Sequence, residues 1–109
     1  MRLFLLTIGN IYHIFIYLIN IWYIKMEQKI FEPVEVIAYF HKLHIEVIKF
    51  KWKTSTYNVS KINSHWKTPE GNSFKYHYIV VCEKQNVICE LSYNLNDFKW
   101  ELVQLGNLN

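Results

Sequence analysis

Ile48-Lys49-Phe50-Lys51-Trp52-Lys53 alternates a large apolar residue with a lysine through three repeats. In an extended chain every second side chain shares a face. The stretch therefore predicts a half-buried strand, with Ile48, Phe50 and Trp52 inward and three ammonium groups in water. The same period runs outward in both directions. On the N-terminal side, Pro33–Phe40 puts Val34, Val36, Ala38 and Phe40 on one face, with Pro33 tolerated as a first strand residue, and His41–His44 makes a short connection. On the C-terminal side, Thr54–Thr56 turns the chain and Tyr57 and Val59 open a third strand. Ile62 and Trp66 then fall out of alternation, which predicts a bulge or bend between Val59 and Trp66.

Lys67–Ser73, containing Pro69, Glu70 and Gly71, reads as a loop. Phe74–Glu83 follows as a long strand, apolar on both faces, which suits a central position. Gln85-Asn86 then reads as a two-residue hairpin loop leading to a strand through Val87, Cys89, Leu91 and Tyr93. After a turn at Asn94–Asp97, Phe98–Leu105 is the last strand and Gly106–Asn109 a frayed tail. The expected fold is all-β: a twisted antiparallel sheet or half-open barrel of about six strands over Phe31–Leu105. Trp52, Tyr57, Trp66, Tyr78, Leu91 and Trp100 are its expected centre.

Composition agrees with this. Four Trp, eight Tyr and seven Phe in 109 residues, with abundant Ile and Val, favour strands over helices. A domain of this size buries only about 60 to 65% of its unfolded surface, so bulky side chains must carry its stability. The net charge of +3 drops to +1 over residues 26–109, where ten lysines meet nine acids and no arginine is present. The charges are unevenly placed, since Lys49, Lys51, Lys53, Lys61, Lys67 and Lys75 share their stretch with Glu70 alone.

Residues 1–25 read separately from the domain at 26–109. Leu3–Ile24 is a 22-residue run without formal charge between Arg2 and Lys25, long enough to span a bilayer as a helix. Thr7, Asn10, His13 and Asn20 dilute it and carry a penalty in lipid. The run is too long, and lacks a small-residue cleavage site, for a secretory signal. Three readings stay open: a translated A/T-rich leader upstream of a start at Met26, a single membrane anchor, and an amphipathic helix packed on the domain. The first and third place the protein in the cytoplasm; the second makes it a single-pass membrane protein with its β domain on the cytoplasmic side.

The order P-V-E-V (33–36), I-K-F-K-W-K-T-S-T-Y-N-V-S-K-I-N-S-H-W-K (48–67), Y-H-Y-I-V-V (76–81), I-C-E-L-S-Y (88–93) and K-W-E-L-V (99–103) resembles a family of small bacterial domains of unknown function. The resemblance spans Pro33–Leu105. It departs from the family pattern in having lysines for arginines, and Ser55 or Thr56 for a glycine before the Tyr57 strand. It implies an all-β fold in the cytoplasm and no catalytic residue. Association of similar domains with DNA-repair polymerase genes implies a nucleic-acid setting.

Residue by residue, little points to catalysis. Three glycines form no phosphate loop, G-x-S-x-G is absent, and no nucleophile has an obvious base in sequence. His41 and His44 are two ligands at most, and His65 and His77 have no carboxylate or thiol at a telling sequence distance, so no metal and no cofactor is expected. Cys82 and Cys89, equidistant from Gln85-Asn86, are expected to face each other across the hairpin as buried thiols. The most functional-looking feature is basic: Lys49, Lys51 and Lys53, joined by Lys61 and Lys67, with Tyr57 and Trp66 as stacking surfaces for single-stranded nucleic acid. The expected protein is a non-enzymatic interaction domain with an unassigned protein partner. The alternatives are weak, sequence-tolerant nucleic-acid binding through that lysine face, and membrane attachment through residues 1–25.

Overall fold

β-Branched and aromatic residues dominate the chain after Met26, and every regular element they form is extended. A computed structural model describes residues 28–42 and 44–108, and among these there is no helix. All three readings of residues 1–25 lie outside the described residues. The strands are β1 (Gln28–Pro33), β2 (Glu35–His41), β3 (His44–Trp52), β4 (Ser55–Asn58), β5 (Lys61–Glu70), β6 (Ser73–Cys82), β7 (Val87–Asn94) and β8 (Lys99–Asn107). They build two antiparallel sheets, β1-β8-β7-β6-β5 and β2-β3-β4.

The fold is all-β and antiparallel as expected. Eight strands replace six because two extended segments bend from one sheet into the other. At Val34 the N–H donates to the Trp100 carbonyl (3.2 Å), so Pro33 ends β1 where it was expected to begin a strand. At the second bend, Val59 N–H donates to Ile48 O in the small sheet (3.0 Å), and the next N–H, of Ser60, donates to Val81 O in the large one (2.7 Å). The register slip expected between Val59 and Trp66 falls at Ile62/Ser64.

Four local expectations are corrected. Lys67–Ser73 is not a loop: β5 continues to Glu70, and the chain reverses only at Gly71, whose φ of 61° is available to a residue without a Cβ. Pro69 is admitted because β5 is an edge strand, with no ladder on its open side for the missing N–H to break. Gly106 is not frayed but pairs with Ile88, and Leu108 N–H donates to Asn86 O (3.1 Å). The β6–β7 connection takes four residues, closed by Asn86 N–H to Glu83 O (3.0 Å), so Cys82 pairs with Val87 and Cys89 with Val80. The two free thiols are diagonal neighbours on the core face rather than direct opposites.

Ile48 does not point inward. Ile37 pairs with Lys49 and Ala38 with Val47, which leaves Ile48 as the extra residue of a bulge, 42% exposed, and passes the inward position to Val47. The core lies between the sheets. Val47 and Phe50 of β3 pack against Tyr78, Val80 and Cys82 of β6, Cys89 and Leu91 of β7, and Leu102 of β8. Trp52, Tyr57 and Trp100 flank it, and the Trp52 indole N–H ties β3 to β1 by donating to Glu32 (2.8 Å). Trp66, expected in the core, is 41% exposed on β5.

Candidate functional site: an aromatic and basic cleft

Where the β2–β3 hairpin end leans over the large sheet, the two layers do not close, and a cleft of about 660 Å³ remains. Its floor is Tyr76 and Tyr78 of β6 and Tyr93 of β7, core-facing because they alternate with His77 and Ser92. Phe40 of β2 roofs it, meeting Tyr93 edge-on with centroids 6.0 Å apart. Lys42 and His44 border it from the small sheet, and His65, Trp66 and Lys67 from β5. Among the described residues no carboxylate lines it. Lys67 Nζ sits 4.5 Å above the Phe74 ring, which holds the ammonium at the rim. Burial, reinforced by Tyr76 and Tyr93 alongside, pushes the Tyr78 hydroxyl up to about 12, so at neutral pH it is a protonated donor.

The seven residues singled out in the sequence are not gathered on one surface. Lys49 and Lys51 project from the outer face of the small sheet, where Lys51 pairs with Glu35 of β2, and Lys53 occupies the β3–β4 turn at φ 58°. Lys61, opposite Val81, belongs to the outer face of the large sheet. Tyr57 is stacked on Phe50 at 4.9 Å and 8°, a core contact that occupies one face of its ring. Burial also raises its pKa, with the Cys89 and Cys82 thiols adding to the shift. Of the seven, Lys67 and Trp66 line the cleft, though the Trp66 ring itself stacks on His77. Phe40, Lys42, Tyr76 and Tyr93 carried no functional expectation; the tyrosine spacing in Tyr76-His77-Tyr78 was the available signal, visible only as strand alternation.

On the opposite face of the large sheet a polar chain crosses four strands. Thr68 Oγ1 is 3.0 Å from His77 Nε2, His77 Nδ1 is 3.1 Å from Glu90 Oε2, and Gln104 Nε2 donates to Glu90 Oε1 at 2.7 Å. Sequence separation had hidden this carboxylate from His77. Hydroxyl, imidazole and carboxylate stand in the order used for acyl transfer, but here the carboxylate is shared with a buried amide and the Trp66 ring lies flat on the imidazole (5.0 Å, 4°). The arrangement satisfies buried polar groups and holds the Trp66 ring on this outer face. His41 and His44, paired at the end of the β2–β3 hairpin, meet edge-on at 5.7 Å. Among the described residues no group of three or more His, Cys, Asp or Glu is placed to hold a metal ion, and no helix is long and apolar enough to cross a membrane.

Comparison with models of protein families, with curated proteins and with solved structures finds no match to this chain. The resemblance to the bacterial family rests on the residues quoted for it alone.

Proposed function

We propose that this is a non-enzymatic binding domain whose cleft takes a planar, anionic ligand, and that a short run of single-stranded nucleic acid is the ligand class that fits best. The observation carrying this is the lining itself: aromatic rings interleaved with Lys42, Lys67, His44 and His65, with no acid among the described residues that line it. Rings offer stacking surface to any base, and ammonium groups at the rim meet phosphates. A cleft bordered by the exposed ring of Phe40 suits a strand that passes through better than a small molecule enclosed on all sides. This moves the nucleic-acid reading from the outer lysine face to the inner one.

Fluorescence anisotropy of a labelled single-stranded 12-mer across a salt series tests it. Lys42→Glu and Lys67→Glu are each expected to weaken binding about tenfold and to flatten the salt slope, since each removes a phosphate contact. Reversing Lys49, Lys51 and Lys53 together is expected to change affinity less than about threefold at 0.15 M salt, where distant surface charges are screened. The opposite ranking would return the site to the outer face, and no binding at low salt would end the proposal.

A further inference from the structure

We propose that this chain forms a symmetric dimer in which β2 pairs, edge to edge, with β2 of a second copy. Two open sheets leave four edge strands, β1 and β5 of the large sheet and β2 and β4 of the small one. Edge strands are ordinarily blunted by proline, lysine, a bulge or shortness, because a bare edge accepts any strand it meets. Three of the four are blunted in this way. β1 has Pro33, a register slip between Lys29 and Glu32, and Phe31 at φ 54°. β5 has Lys61, Lys67 and Pro69. β4 is four residues long, and its Asn58 N–H donates to the Gln85 side chain (3.2 Å). β2 has none of these: Glu35–His41 contains no lysine, no proline and no positive φ, and the extra residue of the bulge beside it belongs to β3. Among the described residues only β3 pairs with it, and Ile37, Tyr39 and Phe40 are each more than half exposed along it.

The order of residues in β2 selects a second copy as the occupant. A two-fold axis at Ala38, the midpoint of the strand, sets Ile37 opposite Tyr39, Val36 opposite Phe40 and Glu35 opposite His41 of the other chain, so every position of the strand is used. Opposed residues of an antiparallel pair share a face. On the outer face Ile37 therefore meets an aromatic ring that is already stacked on His41 (5.5 Å, 15°). At each end the Glu35 carboxylate meets an imidazole, which offers it an N–H in either protonation state. On the inner face Val36 meets Phe40. No like charges oppose each other, and each contact occurs twice, as an isologous interface requires. The two small sheets then run on as one, β4-β3-β2-β2-β3-β4. A single pair of short strands buries less than about 1,200 Å², the range of weak and reversible association.

Sedimentation equilibrium of the full chain between about 10 and about 300 µM is the first measurement, with a reversible monomer–dimer equilibrium expected. A monomer over that whole range overturns the proposal. Ile37→Glu, opposite Lys49 in its own sheet, is expected to keep the near-ultraviolet dichroism of the parent and to weaken the dimer about tenfold, because the symmetry buries two carboxylates at once. An unchanged dissociation constant in the folded variant overturns it as well. Register separates this edge from every other surface. Chains carrying Glu35→Cys are mixed with chains carrying His41→Cys and oxidised with copper phenanthroline; Cys82 and Cys89, both fully buried, do not compete. The mixture is expected to yield a disulfide-linked dimer and neither chain alone to do so, since like positions lie six residues apart along the paired strands, about 20 Å. Equal cross-linking in all three samples, or none in any, overturns the pairing even where the chain associates through another surface, and this result decides should Ile37→Glu fail to fold.

Discussion

Phe50→Ala removes the largest side chain that the small sheet inserts between the layers. Phe50 is 1% exposed, lies opposite Val36 on β2 and Tyr57 on β4, and stacks on the Tyr57 ring at 4.9 Å. Truncating a fully buried phenylalanine costs about 3 to 5 kcal/mol in transfer and cavity terms. The lost ring pair adds about 0.5 to 1.5. A domain of about 80 residues has a total stability of about 4 to 12 kcal/mol, so the substitution consumes much or all of it. With a urea slope of about 1 to 1.5 kcal/mol/M for this size, the midpoint falls by about 3 M or the chain fails to fold. Phe50→Leu, which keeps most of the volume, is expected to cost about 1 to 1.5 kcal/mol. Urea denaturation followed by near-ultraviolet dichroism gives the totals, and amide exchange at Lys49 and Lys51 shows whether the small sheet loosens first. A loss below about 1 kcal/mol for Phe50→Ala would show that the sheets are not held together through this residue.

Three further outcomes follow from the same structure. Tyr78 has a folded pKa near 12 against 10.0 unfolded, so the stability it contributes is complete below pH 10 and is lost as pH rises toward 12; absorbance at 295 nm should show a late phenol step that Tyr78→Phe abolishes, and its presence in that variant would refute the assignment. Cys82 and Cys89 are both fully buried; the hydrogen bond between them together with burial pushes the Cys89 thiol well up, while that bond lowers Cys82, so burial is what shields both. Ellman's reagent should therefore find no reactive thiol at pH 8 until urea is added, and one fast equivalent in native buffer would contradict this. Gly71→Ala meets nothing closer than Asn96 Nδ2 at 3.8 Å but must hold φ 61°, so a loss of about 1 kcal/mol is expected from the backbone alone; a urea midpoint unchanged from the parent would remove the strain argument.

Strand identity was legible wherever one side of a strand meets water. Lys49 and Lys51 announced theirs by alternation, and the long apolar stretch at 74–83 announced a central strand. What stayed hidden were features decided by pairing partners. The bulge at Ile48 exists because Lys49 pairs with Ile37 and Val47 with Ala38, and nothing in I-K-F-K-W-K marks which residue will be extra. Pro69 and Gly71 together signal a turn, yet only Gly71 makes one, because an edge strand tolerates proline. β1 was invisible for a related reason: Gln28–Pro33 has a burial pattern exposed at five of its six positions and is a strand by virtue of β8 beside it. The cleft was half legible. Lys67 and Trp66, singled out in the sequence, are among its lining residues, but which lysines share a concavity with tyrosines depends on how two sheets splay, and periodicity along one strand carries no information about that.

The pairing of Gln28 with Leu105 has a kinetic meaning. The β5–β8 meander and the β2–β4 meander are each built from neighbours in the chain, so both can assemble locally, whereas the contact that fastens β1 to β8 closes a loop over nearly the whole domain and must wait until that entropy has been met. Until then β8 presents an unpaired flank, and any second chain offering an extended stretch competes for it. The moment of greatest risk for this protein in a crowded solution is thus the interval before its own first strand comes home.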